Sequence, residues 1–117
     1  MTDVRNPLPL VQFPNTVVFN AIPPGGYTDL DLTVVVGART CIVLLSILNS
    51  TGVQAGIYFR QNGTAWLVGN SNGCFGSAPN NTTTTGHVVK AVNGIVEWYS
   101  NNVAGTITIT LEAFIYA

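Results

Sequence analysis

Gly105-Thr-Ile-Thr-Ile-Thr-Leu-Glu-Ala-Phe-Ile-Tyr-Ala117 decides the fold class of this chain. Apolar and polar residues alternate with a period of two, the pattern of an extended strand that buries one face. Taken straight through, the alternation sets Ile107, Ile109, Leu111, Ala113 and Ile115 on one face. Thr106, Thr108, Thr110, Glu112, Phe114 and Tyr116 fall on the other. That second face begins polar and ends aromatic. A half-solvated strand stays polar outside, so the pattern predicts a cover over Phe114 and Tyr116, with another copy of the chain as the expected cover.

Next outward is Thr40-Cys-Ile-Val-Leu-Leu-Ser-Ile-Leu48, apolar at both parities except Ser46. It predicts a central strand covered on both sides. A two-layer sandwich buries only one face of a strand, so Ile42, Leu44 and Leu48 call for a further layer. A helix over 41–48 is the alternative; β-branching, the missing cap and the flanking turn signals argue against it.

The rest of the chain reads as shorter strands between turns. Thr16 to Asn20 is a first strand, and Thr28 to Val34 alternates Leu30, Leu32 and Val34 against Asp29, Asp31 and Thr33. Gln54 to Arg60 sets Ala55, Ile57 and Phe59 opposite Tyr58 and Arg60. Asn62-Gly63 and Asn93-Gly94 are tight-turn dipeptides, because both residues tolerate positive φ. Thr64 to Val68 carries Trp66, and residues 69–86 read as one long polar loop containing Asn80 and Asn81. His87 opens a strand to Val92, and Gly94 to Ser100 forms its hairpin partner, with Trp98 on the core parity and Tyr99 on the surface parity.

Seven or eight strands at this spacing predict an all-β antiparallel β-sandwich spanning residues 16–117. A jelly roll fits best, with immunoglobulin-like topology as the alternative. Residues 1–15 contain Pro7, Pro9 and Pro14 and read as an extended arm lying on a neighbouring subunit, or else as a frayed terminus.

Four Lys or Arg and five Asp or Glu among 117 residues fall far below the roughly one quarter usual for a soluble domain. Uncharged Thr, Asn and Ser must supply the wet surface, and the apolar surplus points to burial between subunits. Arg5, Arg39, Arg60 and Lys90 are scattered, which argues against a nucleic-acid partner. No apolar run is long enough to span a bilayer, and the first residues lack the pattern of a secretory signal. Cys41 and Cys74 could form one disulfide; free thiols are favoured, since nothing else demands an oxidising compartment.

Reactive groups do not converge in the sequence. His87 is the only histidine, and a dyad with Cys74 would need folding that the sequence does not reveal. Asp29 and Asp31 share a strand face, which suits a solvated edge better than a calcium site. Glu97 and Glu112 could act as an acid–base pair only on neighbouring strands. No nucleotide-binding glycine motif occurs. The expectation is therefore no enzyme, no metal and no cofactor.

Saccharide binding is the more serious alternative, because aromatic rings beside amides and carboxylates match the C–H faces and hydroxyls of sugars. Tyr58, Trp66 and Tyr99, with Asn80 and Asn81, are the candidate ligand residues. Ile42, Leu44, Phe114 and Tyr116 are the candidate contacts between subunits or layers.

The proline-bearing arm, the Thr28-Asp-Leu-Asp-Leu-Thr33 strand, the apolar 41–48 strand, the Asn/Gly hairpins and the terminal Thr-Ile-Thr-Ile-Thr-Leu strand together resemble small jelly-roll modules of bacteriophage virions. Those modules include tail-tip and fibre receptor-binding heads and head decoration proteins. The resemblance spans residues 16–117 in texture and carries no diagnostic motif. It implies a virion component made in the host cytoplasm, assembled as a homotrimer with itself and with other virion proteins, that recognises host-surface glycans in some members. The chain has no shaft of the kind that precedes many fibre heads.

Overall fold

The computed structural model describes residues 10–52, 55–64, 74–78, 82–101 and 105–117. Among the described residues, eight strands and one short helix run in the order β1 (Thr16–Ala21), β2 (Thr28–Asp31), α1 (Thr33–Val36), β3 (Cys41–Ser50) and β4 (Ala55–Gln61). They continue through β5 (Cys74–Ala78), β6 (Thr82–Ala91), β7 (Ile95–Ser100) and β8 (Thr106–Tyr116). Two four-stranded antiparallel sheets result, ordered β1-β8-β3-β6 and β2-β7-β4-β5. They pack face to face as a sandwich.

Alternation in each strand explains the core. Val43, Leu45, Ile47, Ile107, Ile109 and Leu111 of the first sheet meet Leu30, Ile57, Phe59, Val96 and Trp98 of the second, and all are buried. Phe19 closes on Trp98 edge to face, with centroids 4.8 Å apart. Phe59 lies 5.8 Å from the His87 ring. Such ring pairs add roughly 0.5–1.5 kcal/mol beyond the apolar area they bury. Trp98 sits in the core, as its parity predicts, whereas Tyr99 is half-buried on the outer side.

The strand predicted over Thr28–Val34 stops at Asp31. The Asp31 carboxylate accepts hydrogen bonds from both the backbone N–H and the hydroxyl of Thr33, so the side chain turns the backbone in place of a ladder partner. One helical turn follows, closed by Gly37 at φ 75°. Leu32 and Val36 plug the end of the core, while Val34, expected to point inward, is 97% exposed.

Residues 69–86 are not one long loop: Cys74–Ala78 and Thr82–Ala91 are strands. The threonine run Thr82 to Thr84 pairs with Ile47 to Asn49 of β3; Thr83 is exposed and Thr84 half-buried, positions that β-branched threonine suits. His87 consequently lies inside β6 rather than at its start. Thr64 is bonded back to the Gln61 carbonyl, and residues 65–68 of the strand expected there, Trp66 among them, lie outside the described residues, as do Asn80 and Asn81. Asn93 and Gly94 have φ of 54° and 79°, the two positive values that a type I′ turn requires.

Residues 10–15 lie on their own chain. The Gln12 N–H donates to the Phe114 carbonyl and the Phe114 N–H donates to the Gln12 carbonyl, both at 2.9 Å, which extends the β1 edge of the first sheet. Residues 1–9 of the arm expected over 1–15 lie outside the described residues. Cys41 is a buried free thiol, and burial pushes its pKa up.

Candidate functional site

The sandwich presents two outer faces of different chemistry. The first belongs to β1-β8-β3-β6, and its character follows from one irregularity. Leu44 pairs with Ala113, but Leu45 pairs with Leu111, so Glu112 is an extra residue in β8. Side chains alternate along a strand, so a one-residue bulge exchanges the faces beyond it. Ile107, Ile109 and Leu111 point inward before the bulge; Phe114 and Tyr116 point inward after it, where Phe114 is only 4% exposed.

This overturns the expectation that Phe114 and Tyr116 stand on the outer face under another copy. Phe114 packs into the chain's own core, 5.3 Å from the Tyr116 ring. The Tyr116 hydroxyl donates to the Val36 carbonyl at 3.0 Å, and the Arg39 guanidinium lies 3.5 Å from the centre of the Tyr116 ring. Both aromatics tie β8 to its own sandwich.

Ala113 and Ile115 take the vacated outer positions, opposite Leu44 and Ile42. Val88 stands opposite Leu44 on the other side. With Val11 and Phe13 from the N-terminal stretch, these side chains line one apolar groove. Ile42 and Leu44 therefore share the outer face they were expected to occupy. Ile42 is 36% exposed, and Val88, Phe13 and Val11 are at least half exposed.

The outer face of the second sheet is aromatic and polar. Because Ile57, Phe59, Val96 and Trp98 point inward, Tyr58 and Arg60 of β4 and Glu97 and Tyr99 of β7 point outward. Register sets Tyr58 beside Tyr99 and Arg60 beside Glu97. Tyr27, just ahead of β2, completes a row of three rings: Tyr27 to Tyr99 is 5.6 Å and Tyr58 to Tyr99 is 5.8 Å.

Charges hold that row. The Arg60 Nε donates to Glu97 Oε1 in a largely buried ion pair, and the Arg60 guanidinium lies 3.7 Å from the centre of the Tyr27 ring. Burial raises the Tyr27 pKa, partly offset by the cationic Arg60. Asp29 sits opposite Glu97 on β2. At one end of the row the Asn101 side chain accepts from the Gly56 N–H at 2.8 Å, and a Cβ at Gly56 would lie only 2.9 Å from the Asn101 amide nitrogen.

Tyr58 and Tyr99 were legible as outward residues, but their adjacency was not, because strand order is invisible to periodicity. Tyr27 and Asn101 were missed. Tyr27 shares the parity of Asp29 and Asp31, a signal that could have placed it on this face. Of the carboxylates weighed for chemistry, Glu97 and Glu112 stand on different sheets, Asp31 is engaged by Thr33, and Asp29 comes opposite Glu97. Among the described residues no three His, Cys, Asp or Glu side chains converge, and no helix is long and apolar enough to cross a membrane. No protein-family model, curated protein or solved structure matches the chain.

Proposed function

We propose that this chain is a non-enzymatic structural module that self-associates through the outer face of β1-β8-β3-β6, as a homotrimeric component of a phage virion or a comparable surface assembly. The carrying observation is the apolar groove where a lone sandwich would be wet, in a chain with so few charges. Four strands about 4.8 Å apart and about 30 Å long offer roughly 600 Å² of face per copy. That approaches the ~800 Å² per partner typical of a stable interface.

The virion reading draws on the strand order. β1 pairs with β8, β2 with β7, β3 with β6 and β4 with β5, as when one long hairpin of four strand pairs is wrapped around a barrel. That winding supports a jelly roll, an architecture that serves capsid and lectin domains alike.

Sedimentation velocity at low micromolar concentration tests the assembly. The wild-type chain sediments as an oligomer, and Leu44→Asp combined with Val88→Asp sediments as a folded monomer. A stable wild-type monomer overturns the proposal. For the biological class, flanking genes that encode portal, capsid or tail proteins support the virion reading, and flanking genes of unrelated metabolism oppose it.

A further inference from the structure

The tyrosine row on the second sheet lies on the side of the sandwich opposite the apolar groove, and its chemistry differs. Among the described residues, the large exposed aliphatic side chains lie on β1, β3, β6, α1 and the segments around them, with none on β4 or β7. The core of an obligate interface between copies of a chain is more apolar than this face. Here the apolar content is aromatic, with Arg60 against the Tyr27 ring and the Asn101 amide near Tyr58.

We propose that Tyr27, Tyr58 and Tyr99 form a binding platform for a neutral oligosaccharide. The row crosses three neighbouring strands, so its outer members are about two strand spacings, or roughly 10 Å, apart. That is the reach of a short run of pyranose rings. A pyranose has an apolar C–H face that lies on an aromatic ring and an equatorial rim of hydroxyls that needs donors and acceptors. The Asp29 carboxylate accepts from hydroxyls, Glu97 holds Arg60 in place, and the Asn101 amide flanks the Tyr58 end through its contact with Gly56.

Charge narrows the ligand class. Two carboxylates, Asp29 and Glu97, stand with one guanidinium, Arg60, on this part of the face. The balance is negative, so sialylated, sulfated or phosphorylated glycans are repelled and neutral ones are not. Preorganisation helps too. Tyr27 is held between Arg60 and Tyr99, and Tyr99 between Tyr27 and Tyr58, so binding freezes few additional rotamers.

The test uses the full chain with neoglycoproteins carrying maltotriose, cellotriose, chitotriose or mannotriose, beside sialyllactose and sulfated counterparts. Wild-type protein binds at least one neutral probe and none of the anionic ones. Tyr99→Ala and Tyr58→Ala each weaken that binding by about tenfold, the factor carried by roughly 1.4 kcal/mol of lost contact. Tyr99→Phe, which keeps the ring, retains it. Should Tyr99→Ala fail to fold, Tyr27→Ala, outside the strands, gives the same readout. The Leu44→Asp and Val88→Asp variant binds monovalent trisaccharide unchanged, which separates this site from the assembly face. Absence of binding to every neutral probe, preference for the anionic probes, or binding undiminished in Tyr58→Ala and Tyr27→Ala overturns the proposal.

Discussion

Phe114 stands opposite Val43 in the β8–β3 ladder, and both side chains lie inside the sandwich, 4% and 1% exposed. The neighbouring pair, Ile115 and Ile42, faces out. Phe114→Ala therefore removes a core side chain and should cost about 3–5 kcal/mol of unfolding free energy. Ile115→Ser, although the period-two pattern assigns Ile115 to the core, should cost under about 1 kcal/mol in the isolated subunit and weaken association instead. Urea unfolding and sedimentation of the two variants check this reversal. If Ile115→Ser proves the more destabilising, the bulge at Glu112 is misplaced.

That reversal marks where sequence reading succeeds and where it stops. Periodicity located β4, β7 and β8 because each has one core parity of Val, Ile, Leu, Phe or Trp, and β3 showed itself as an apolar run at both parities. It could not see the bulge, since Glu112 continues the alternation and only the pairing of Leu44 with Ala113 and Leu45 with Leu111 exposes the extra residue. Polar β5 and the first half of β6 were read as loop because they carry Gly, Ser and Thr, residues that strand and turn share. They become strands through partners distant in sequence, which composition does not encode. The tyrosine row failed to appear for the same reason: Tyr58 and Tyr99 were each placed outward, and only topology made them neighbours.

Gly94 and Gly63 have similar positive φ values, 79° and 86°, but different surroundings. A Cβ at Gly94 would collide with the Gly37 carbonyl oxygen and lie 2.7 Å from Thr33 Cγ2, while at Gly63 it would meet nothing within 4 Å. Gly63→Ala should cost about 1–2 kcal/mol, the conformational penalty alone. Gly94→Ala adds a backbone collision where the β6–β7 turn abuts the start and end of α1, and should cost at least about 1 kcal/mol more. Thermal melts of the two variants measure the difference. Equal losses would mean that the turn moves away from α1 without cost.

His87 is buried beside Phe59, and its Nε2 has no hydrogen-bond partner, so desolvation lowers its pKa from the ordinary 6.5. Above pH 6.5 the ring is neutral in the folded and unfolded chain alike. Below it, the unfolded chain takes up a proton that the folded chain resists, and stability falls as pH drops toward the folded value. One such proton gives a slope of up to about 1.4 kcal/mol per pH unit. His87→Gln should flatten the pH dependence of urea unfolding free energy between pH 6.5 and 5. A slope unchanged by this substitution would assign the titration to another group. Loss through Asp31, whose pKa is lowered from 3.8 by the Thr33 hydrogen bonds, comes only at more acid pH.

Arg60 joins two elements of the tyrosine face, pairing with Glu97 across β4 and β7 and covering the Tyr27 ring. Its side chain and that of Glu97 are 15% and 17% exposed, so the pair is partly shielded from water and worth more than a surface pair. A double-mutant cycle with Arg60→Met and Glu97→Gln should return a coupling of about 1 kcal/mol. Arg60→Lys should keep part of that coupling through charge while losing the planar contact with Tyr27, because an ammonium does not stack. Tyr27 fluorescence and hydroxyl titration then separate the two roles. The phenol titrates upward in pH once the guanidinium is gone, since Arg60 is what lowers it against the effect of burial. A Tyr27 titration unmoved in Arg60→Met would place the guanidinium away from the ring and remove the clamp that holds the row in register.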